Sequence, residues 1–571
     1  MTPGSPSGTT TTRRRTRNIQ ACNTCRERRT KCDGQRPQCS FCLERGKDCL
    51  YLGVPDVPPS PLELEISKVW EQLDQITAKL EDLQPPEVDR SPGDQEEYGN
   101  PGGGFDMIRG FPYMTLKNES FMALLGLKGL FARHIERTER SQSMHSVPPS
   151  PVVSIDHDDA WRQVGQLLNI FAQRVQIWYP VLHVEFTSEF MNSISNAFPP
   201  SPESCIALLV LAIAMTVEDS PHLCPANYSG AEDYLQAALE MLPTLLDGSH
   251  GTRETQCFLL LSIYYICRVK PSHAYDFLSM ASYSVQSELQ NGSDSVDEKS
   301  GIIANCYWII LLIESEISVQ LDADDSGIWD MLSAAPPPSN LQTWGMSQAI
   351  TSAATDGDSR LSNGLLPDDM SYFLSEIALR QMLQRCTWSV QEVHPGHFAY
   401  APIVAAELER QLDEWRRLLP GRYRFRDDET ETTSSSTAPQ AAFLRTQFYA
   451  FKASVFWPAV YQTLTTDERD YAYLPDCIRF FEAYGAFIRG AACAVRVCRP
   501  NLWTLCTSVF TISMAALTGS TVPWLAFRIT STFIVDIQVA LQILEEVHSL
   551  SPSLAEMGRL LRERTLESLS S

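Results

Sequence analysis

Six cysteines inside the first fifty residues constrain this chain more than any other feature. Cys22, Cys25, Cys32, Cys39, Cys42 and Cys49 follow the spacing C-x2-C-x6-C-x6-C-x2-C-x6-C, which is two near-copies of one C-x2-C-x6-C unit. Thiolate is a soft ligand that selects zinc, and a structural zinc takes four ligands tetrahedrally. Six thiolates therefore serve two zinc ions only if two of the sulfurs bridge. Two divalent ions offset four of the six thiolate charges, and basic neighbours offset the rest. A disulfide framework also uses six cysteines, but it needs an oxidising compartment. The first twenty residues are mostly Ser, Thr, Gly and Arg, without the apolar run of a secretory signal. Iron–sulfur clusters take four cysteines each. The expected cofactor is zinc, two ions per chain. A segment this short and polar draws its folding energy from the metal.

Arg26, Arg28, Arg29 and Lys31 lie between the second and third cysteines, on a helix expected to begin near Thr24. Arginine pairs with guanine O6 and N7 through two parallel hydrogen bonds, so the natural partner is double-stranded DNA. Arg13, Arg14, Arg15 and Arg17 precede the cluster as a flexible basic arm, suited to phosphate contacts and nuclear import. Residues 21–49, ACNTCRERRTKCDGQRPQCSFCLERGKDC, closely resemble the zinc binuclear cluster domain of fungal transcription regulators. The match covers all six cysteines, the basic run, Asp33 after the third cysteine and Pro37 in the connecting loop. The resemblance implies two halves, each a short helix followed by an extended strand, wrapped around two metals. It implies a CGG-like target triplet. In the family the base-reading side chain stands three residues before the third cysteine and is usually Lys; Arg29 holds that position here. Arg28 is then the neighbouring contact, to base or phosphate, and Arg26 and Lys31 are phosphate anchors or shields for the thiolates.

Residues 50–61 form a Pro-rich stretch that would reach roughly 40 Å when extended. Ser60 offers an N-cap and Pro61 a first helical residue. Leu62, Ile66, Val69, Leu73, Ile76, Leu80 and Leu83 then alternate at spacings of four and three until Pro85 and Pro86. Such a heptad stripe needs a partner helix, and its place just after the cysteine cluster favours a parallel homodimer.

The remainder is large and acidic. The chain of 571 residues has a net charge of −23, yet residues 1–50 carry 11 Lys/Arg against 4 Asp/Glu, or +7, which leaves −30 for the rest. A basic head suits a polyanion that the acidic body would repel. A hydrophobic content of 44% with 24 Phe, 19 Tyr and 11 Trp excludes a wholly disordered chain. The longest apolar run, Cys205 to Val217, falls well short of the roughly 18 residues of a spanning helix, so no membrane partner is expected. The ten remaining cysteines sit mostly in apolar stretches and read as buried thiols.

The expected fold is mostly α: a disordered basic arm (1–18), the two-zinc cysteine domain (19–52), a linker (53–61), a coiled-coil dimerisation helix (62–84), a mostly disordered linker (85–155) and a large all-α regulatory body (156–571). Within 85–155 an apolar island, Phe121 to Phe131, has the character of a docking segment. The body resembles the middle homology region of the same regulators, through Tyr179-Pro180-Val181-Leu182-His183 and the segment YWIILLIESEISVQLD (307–322). Residues 350–370 and 426–438 read as disordered surface loops. The stretch 321–332, LDADDSGIWDML, reads either as an acidic-hydrophobic activation segment or as a loop between helices. His394 and His397 read as loop residues, because Pro395 and Gly396 break any helix between them. The chain has no HExxH, GxSxG, Walker A or dinucleotide-binding glycine loop, and no catalytic residues are assigned. The expectation is a nuclear DNA-binding transcriptional regulator, probed by a small-molecule effector or a co-regulator at its body. The rival is a metabolite-binding or scaffold protein whose cluster does not read DNA specifically.

Overall fold

A computed structural model of the chain describes residues 22, 24–25, 28–32, 38–49, 111–127, 129–141, 157–218, 229–243, 251–291, 298–339, 344, 370–385, 389–394, 397–425, 438–466, 471–526 and 532–570. The basic arm, Arg26, Asp33, Pro37, the linker with Ser60 and Pro61, the heptad stripe from Leu62 to Leu83, and residues 350–369 and 426–437 lie outside the described residues. The chain divides into two units, Met1–Tyr98 and Gly99–Ser571.

In the first unit, Thr24 and Cys25 are helical and α1 spans Ser40–Glu44. Among the described residues the regular elements of the second unit are helices apart from one hairpin, in keeping with the 3.6-residue periodicity. Its first half holds α4 (His157–Phe171, continued by a π-helical turn Ala172–Gln176), α5 (Phe186–Ser195), α6 (Pro202–Glu218), α7 (Ser229–Glu240), α8 (Thr252–Cys267), α9 (Pro271–Asn291), α10 (Glu298–Ile317) and α11 (Ser371–Arg385). The second half holds α12 (Pro402–Leu418), α13 (Pro439–Thr465), α14 (Leu474–Val497), α15 (Leu502–Ser520), α16 (Pro523–Ala526), α17 (Phe533–Val547) and α18 (Pro552–Ser570). Helices α6 and α8 are apolar nearly all round, as helices covered on every side must be. They pack on each other, with α4, α7 and α9 outside them, while α13 pairs along its length with α14. One continuous core joins the two halves.

Helix α15 with the turn before it, Arg499–Ser520, is long and apolar enough to cross a membrane, yet 89% of its apolar window is buried within the protein. Its hydrophobicity is that of a core helix.

The expectation of a mostly disordered linker over 85–155 gives way across 111–141. There α2 (Glu119–Leu124) and α3 (Phe131–Arg140) are integral to the body. Asn118 caps α2 by accepting from the Phe121 N–H at 2.8 Å. Phe111, Tyr113, Leu116, Phe121 and Ile135 are buried. The Trp457 indole N–H donates to the Pro112 carbonyl at 2.7 Å, and Phe131 stacks on Phe510 with centroids 5.8 Å apart. Arg140 forks onto Asp276 at 2.8 and 2.9 Å. Glycine and proline on both flanks suggest a linker, while the apolar residues between them find partners hundreds of positions away. The Phe121–Phe131 island does dock, on the body itself.

One further expectation is corrected, and one open choice between two readings is decided. His394 and His397 are strand residues paired in an antiparallel hairpin, β1 (Val390–His394) with β2 (His397–Tyr400), and β2 lies on α13. The alternating pattern is weak because β1 buries only Val390. The stretch 321–332 is a folded loop: Leu321, Ile328 and Trp329 are buried, the Tyr307 hydroxyl donates to the Ile328 carbonyl at 3.1 Å, and Asp322 pairs with Arg133 at 2.6 Å.

Candidate metal and DNA-reading centre

Each half of the first unit brings its cysteines together by a short helix and the chain that follows it. The Sγ atoms of Cys22 lie 3.7 and 3.6 Å from those of Cys39 and Cys42, and Cys25 lies 3.7 and 4.0 Å from the same two. A tetrahedral zinc with Zn–S of about 2.3 Å requires sulfurs about 3.8 Å apart, so the spacing fits the metal. Two groups of four form: Cys22, Cys25, Cys32 and Cys39, and Cys22, Cys39, Cys42 and Cys49. They share Cys22 and Cys39, the first cysteine of each repeat, which would be the sulfurs common to both ions. The centre holds two zinc ions.

Burial pushes the Cys22, Cys25 and Cys42 thiols up. Cys39 alone is lowered: burial opposes ionisation there, but the Cys42 backbone N–H and the surrounding thiols outweigh it. Zinc is bound by thiolate, so metal binding releases protons and is coupled to folding.

The two halves repeat with a period of 17 residues, relating Cys22 to Cys39, Cys25 to Cys42 and Cys32 to Cys49. The backbone follows the repeat. The Thr30 N–H donates to the Cys25 carbonyl and the Lys47 N–H to the Cys42 carbonyl, each at 3.0 Å. Before them stand Arg29 at φ 49° and Gly46 at φ 57°, the left-handed residues that end each helical turn. Glycine takes that conformation freely and arginine does not. Thr24 Oγ1 ties the halves by donating to the Asp48 carbonyl at 2.6 Å, and the Arg45 guanidinium lies over the Phe41 ring at 4.9 Å.

Arg28, Arg29 and Lys31 are exposed, with Arg28 and Arg29 at the turn closing the first helix. Sequence reasoning overlooked the left-handed turn, Thr30, and the Phe41–Arg45 contact. The alignment of Arg29 with Gly46 in the 17-residue repeat was the available signal for the first.

In the body, His183 stands near Glu185 and Glu189 at 3.6 and 3.5 Å. Arg253 is interleaved, pairing with Glu189 and lying 2.7 Å from His183 Nε2, so a guanidinium supplies the cation of that group. Tyr179 of the same element is buried against Asn501, whose amide also reaches Glu316 at 3.4 Å. Glu316 in turn shares Arg380 with Glu376. These side chains tie α10, α11 and α15 together inside the core, an arrangement that positions helices.

The description of the fungal Zn(2)-Cys(6) binuclear cluster domain matches residues 20–55. A protein of Aspergillus rugulosus carrying the name "Putative transcription factor ecdB" is 34% identical over 521 residues, covering 87% of this chain and 88% of its own length. The maltose fermentation regulatory protein MAL13 of Saccharomyces cerevisiae is 64% identical over 33 residues, 6% of this chain and 7% of its own. The citrinin biosynthesis transcriptional activator mrl3 of Monascus ruber is 49% identical over 39 residues, 7% of this chain and 8% of its own. No solved structure matches. With the six-thiolate centre at one end and a relative aligned along nearly the whole chain, the protein belongs to the fungal zinc binuclear cluster family of transcriptional regulators.

Proposed function

We propose that the protein is a nuclear regulator of RNA polymerase II genes that reads CGG-like triplets as a homodimer. Arg29 reads guanine and Arg28 contacts the adjoining base or phosphate; Arg26, Lys31 and the arm of Arg13, Arg14, Arg15 and Arg17 hold the backbone. The heptad residues Leu62, Ile66, Val69, Leu73, Ile76, Leu80 and Leu83 pair two heads. The acidic body receives a small-molecule effector or a co-regulator. Relatives named for maltose fermentation and citrinin biosynthesis favour control of a metabolic or secondary-metabolite pathway.

One observation carries the DNA-reading claim. Arg29 is exposed and occupies a left-handed turn that its repeat mate fills with glycine. A side chain kept where glycine suits the backbone is there for what the side chain does.

The test is selection of bound sites from random duplexes by the full chain, with zinc and then with chelator. Paired CGG-like triplets, lost with chelator and bound with a steep salt dependence, are expected. Single triplets would remove the homodimer. No enrichment by zinc-loaded protein would overturn DNA reading.

A further inference from the structure

The HPGH run at 394–397 takes no part in the zinc centre or in the proposed DNA contacts. Its proline and glycine prevent a helix from gathering the two imidazoles, and the hairpin gathers them by another route. His394 of β1 and His397 of β2 are cross-strand partners at the tip of the ladder. Val390 pairs with Tyr400, Gln391 with Ala399 and Glu392 with Phe398. A bulge between Glu392 and His394 then moves the register by one residue, so that His394 rather than Val393 lies opposite His397. Bulges re-aim side chains in this way.

Directly opposed residues have Cβ atoms about 4.5–5.5 Å apart on one face of the ladder. Both histidines are exposed. Among the described residues neither imidazole is drawn into a hydrogen bond, ion pair or ring contact. A tetrahedral ion with metal–nitrogen bonds of about 2.0–2.1 Å holds two nitrogens about 3.3 Å apart. Two exposed rings on adjacent Cβ atoms reach that separation by rotating about their side-chain bonds. Imidazole suits zinc, copper and nickel.

The base of the hairpin is already fixed. The Ala401 N–H donates to the Ser389 carbonyl at 2.9 Å, the Ser389 hydroxyl donates to the Val455 carbonyl, and the Tyr400 N–H donates to Gln462 Oε1 at 2.6 Å. Val455 and Gln462 belong to α13. Beyond Val390, by contrast, every side chain of β1 is exposed. We propose that His394 and His397 bind a divalent first-row transition ion at the tip of the hairpin, a third metal site built from imidazole rather than thiolate. Water completes the coordination. The ion staples the end of the ladder that packing leaves open, so its binding energy appears as hairpin stability.

The test begins with the full chain holding two zinc ions. Further zinc is titrated in competition with a weak chromophoric chelator, in the native protein, His394→Gln, His397→Gln and, as a control, His548→Gln. His548 is also exposed, just after α17. The native protein and His548→Gln should take up a third ion, while His394→Gln and His397→Gln should stop at two. The second readout is amide hydrogen exchange across the hairpin. Zinc at about 100 times its half-saturating concentration should slow exchange there by up to about 100-fold in the native protein and leave it unchanged in either hairpin variant. A native protein that saturates at two ions, a third ion retained by either hairpin variant, or hairpin exchange that zinc does not slow would overturn the proposal.

Discussion

Replacing Arg29 with glycine should move two properties in opposite directions. Arg29 sits at φ 49°, and the equivalent Gly46 at φ 57°. A left-handed conformation costs a non-glycine residue about 1–2 kcal/mol. Glycine returns about 0.4–1 kcal/mol of that through the greater freedom of the unfolded chain. The net effect of Arg29→Gly on the zinc-bound head is then a gain of about 1 kcal/mol or less. If Arg29 reads guanine as proposed, the same change removes a bidentate contact worth about 1–3 kcal/mol, which is about 5- to 150-fold in affinity. Chelator resistance of the full chain reads the first quantity, and anisotropy titration of a duplex carrying CGG triplets, at fixed salt, reads the second. The mirror change, Gly46→Ala, separates backbone from side chain. A Cβ there meets no atom within 4 Å, so the whole effect is strain of about 1 kcal/mol, with DNA affinity of the zinc-loaded protein unchanged. If Arg29→Gly weakened zinc retention, or left DNA affinity intact, Arg29 would be a structural residue and the argument from strain would fail.

Two other outcomes follow from the geometry. Cys22 and Cys39 belong to both groups of four sulfurs, whereas Cys32 and Cys49 belong to one each. Cys22→Ala or Cys39→Ala should therefore abolish both zinc ions, while Cys32→Ala or Cys49→Ala leaves one; equal losses by native mass spectrometry would contradict the bridging assignment. In the body, the Glu314 carboxyl is pushed up to about 7 from an ordinary 4.5, mainly by burial, although Ser326 donates to it from its N–H at 2.9 Å and its hydroxyl at 2.5 Å. The folded state holds this proton more tightly than the unfolded one. The stability it confers is present below about 4.5 and is lost as pH rises through about 7. Glu314→Gln keeps an acceptor for Ser326 and should flatten the fall in unfolding midpoint across that window; an unchanged pH slope would refute the assignment.

The zinc centre was legible because its chemistry is local. All six ligands lie between Cys22 and Cys49, thiolate selects the metal, and the count of six against four per ion demands two bridges. Which two sulfurs bridge was not legible, since every cysteine is chemically alike and only the fold brings Cys22 and Cys39 into both groups.

The body divides in the same way. Its helices were readable from periodicity, because a helix buries residues at a fixed spacing whatever covers them. The place of 111–141 was not, because flanking glycine and proline describe only the local chain. Phe121 meets Trp457, and Phe131 meets Phe510, across more than three hundred positions. The loop 321–332 was ambiguous for the same reason: its acids and apolar residues suit an exposed segment or a folded one, and the core that receives Ile328 and Trp329 settles the matter. The sequence by itself determined the metal, its stoichiometry and the helical character of the body, since these depend on residue type and short spacing. Tertiary structure alone decided which sulfurs fall in both groups of four and the extent of the body, since these depend on which distant groups share one volume.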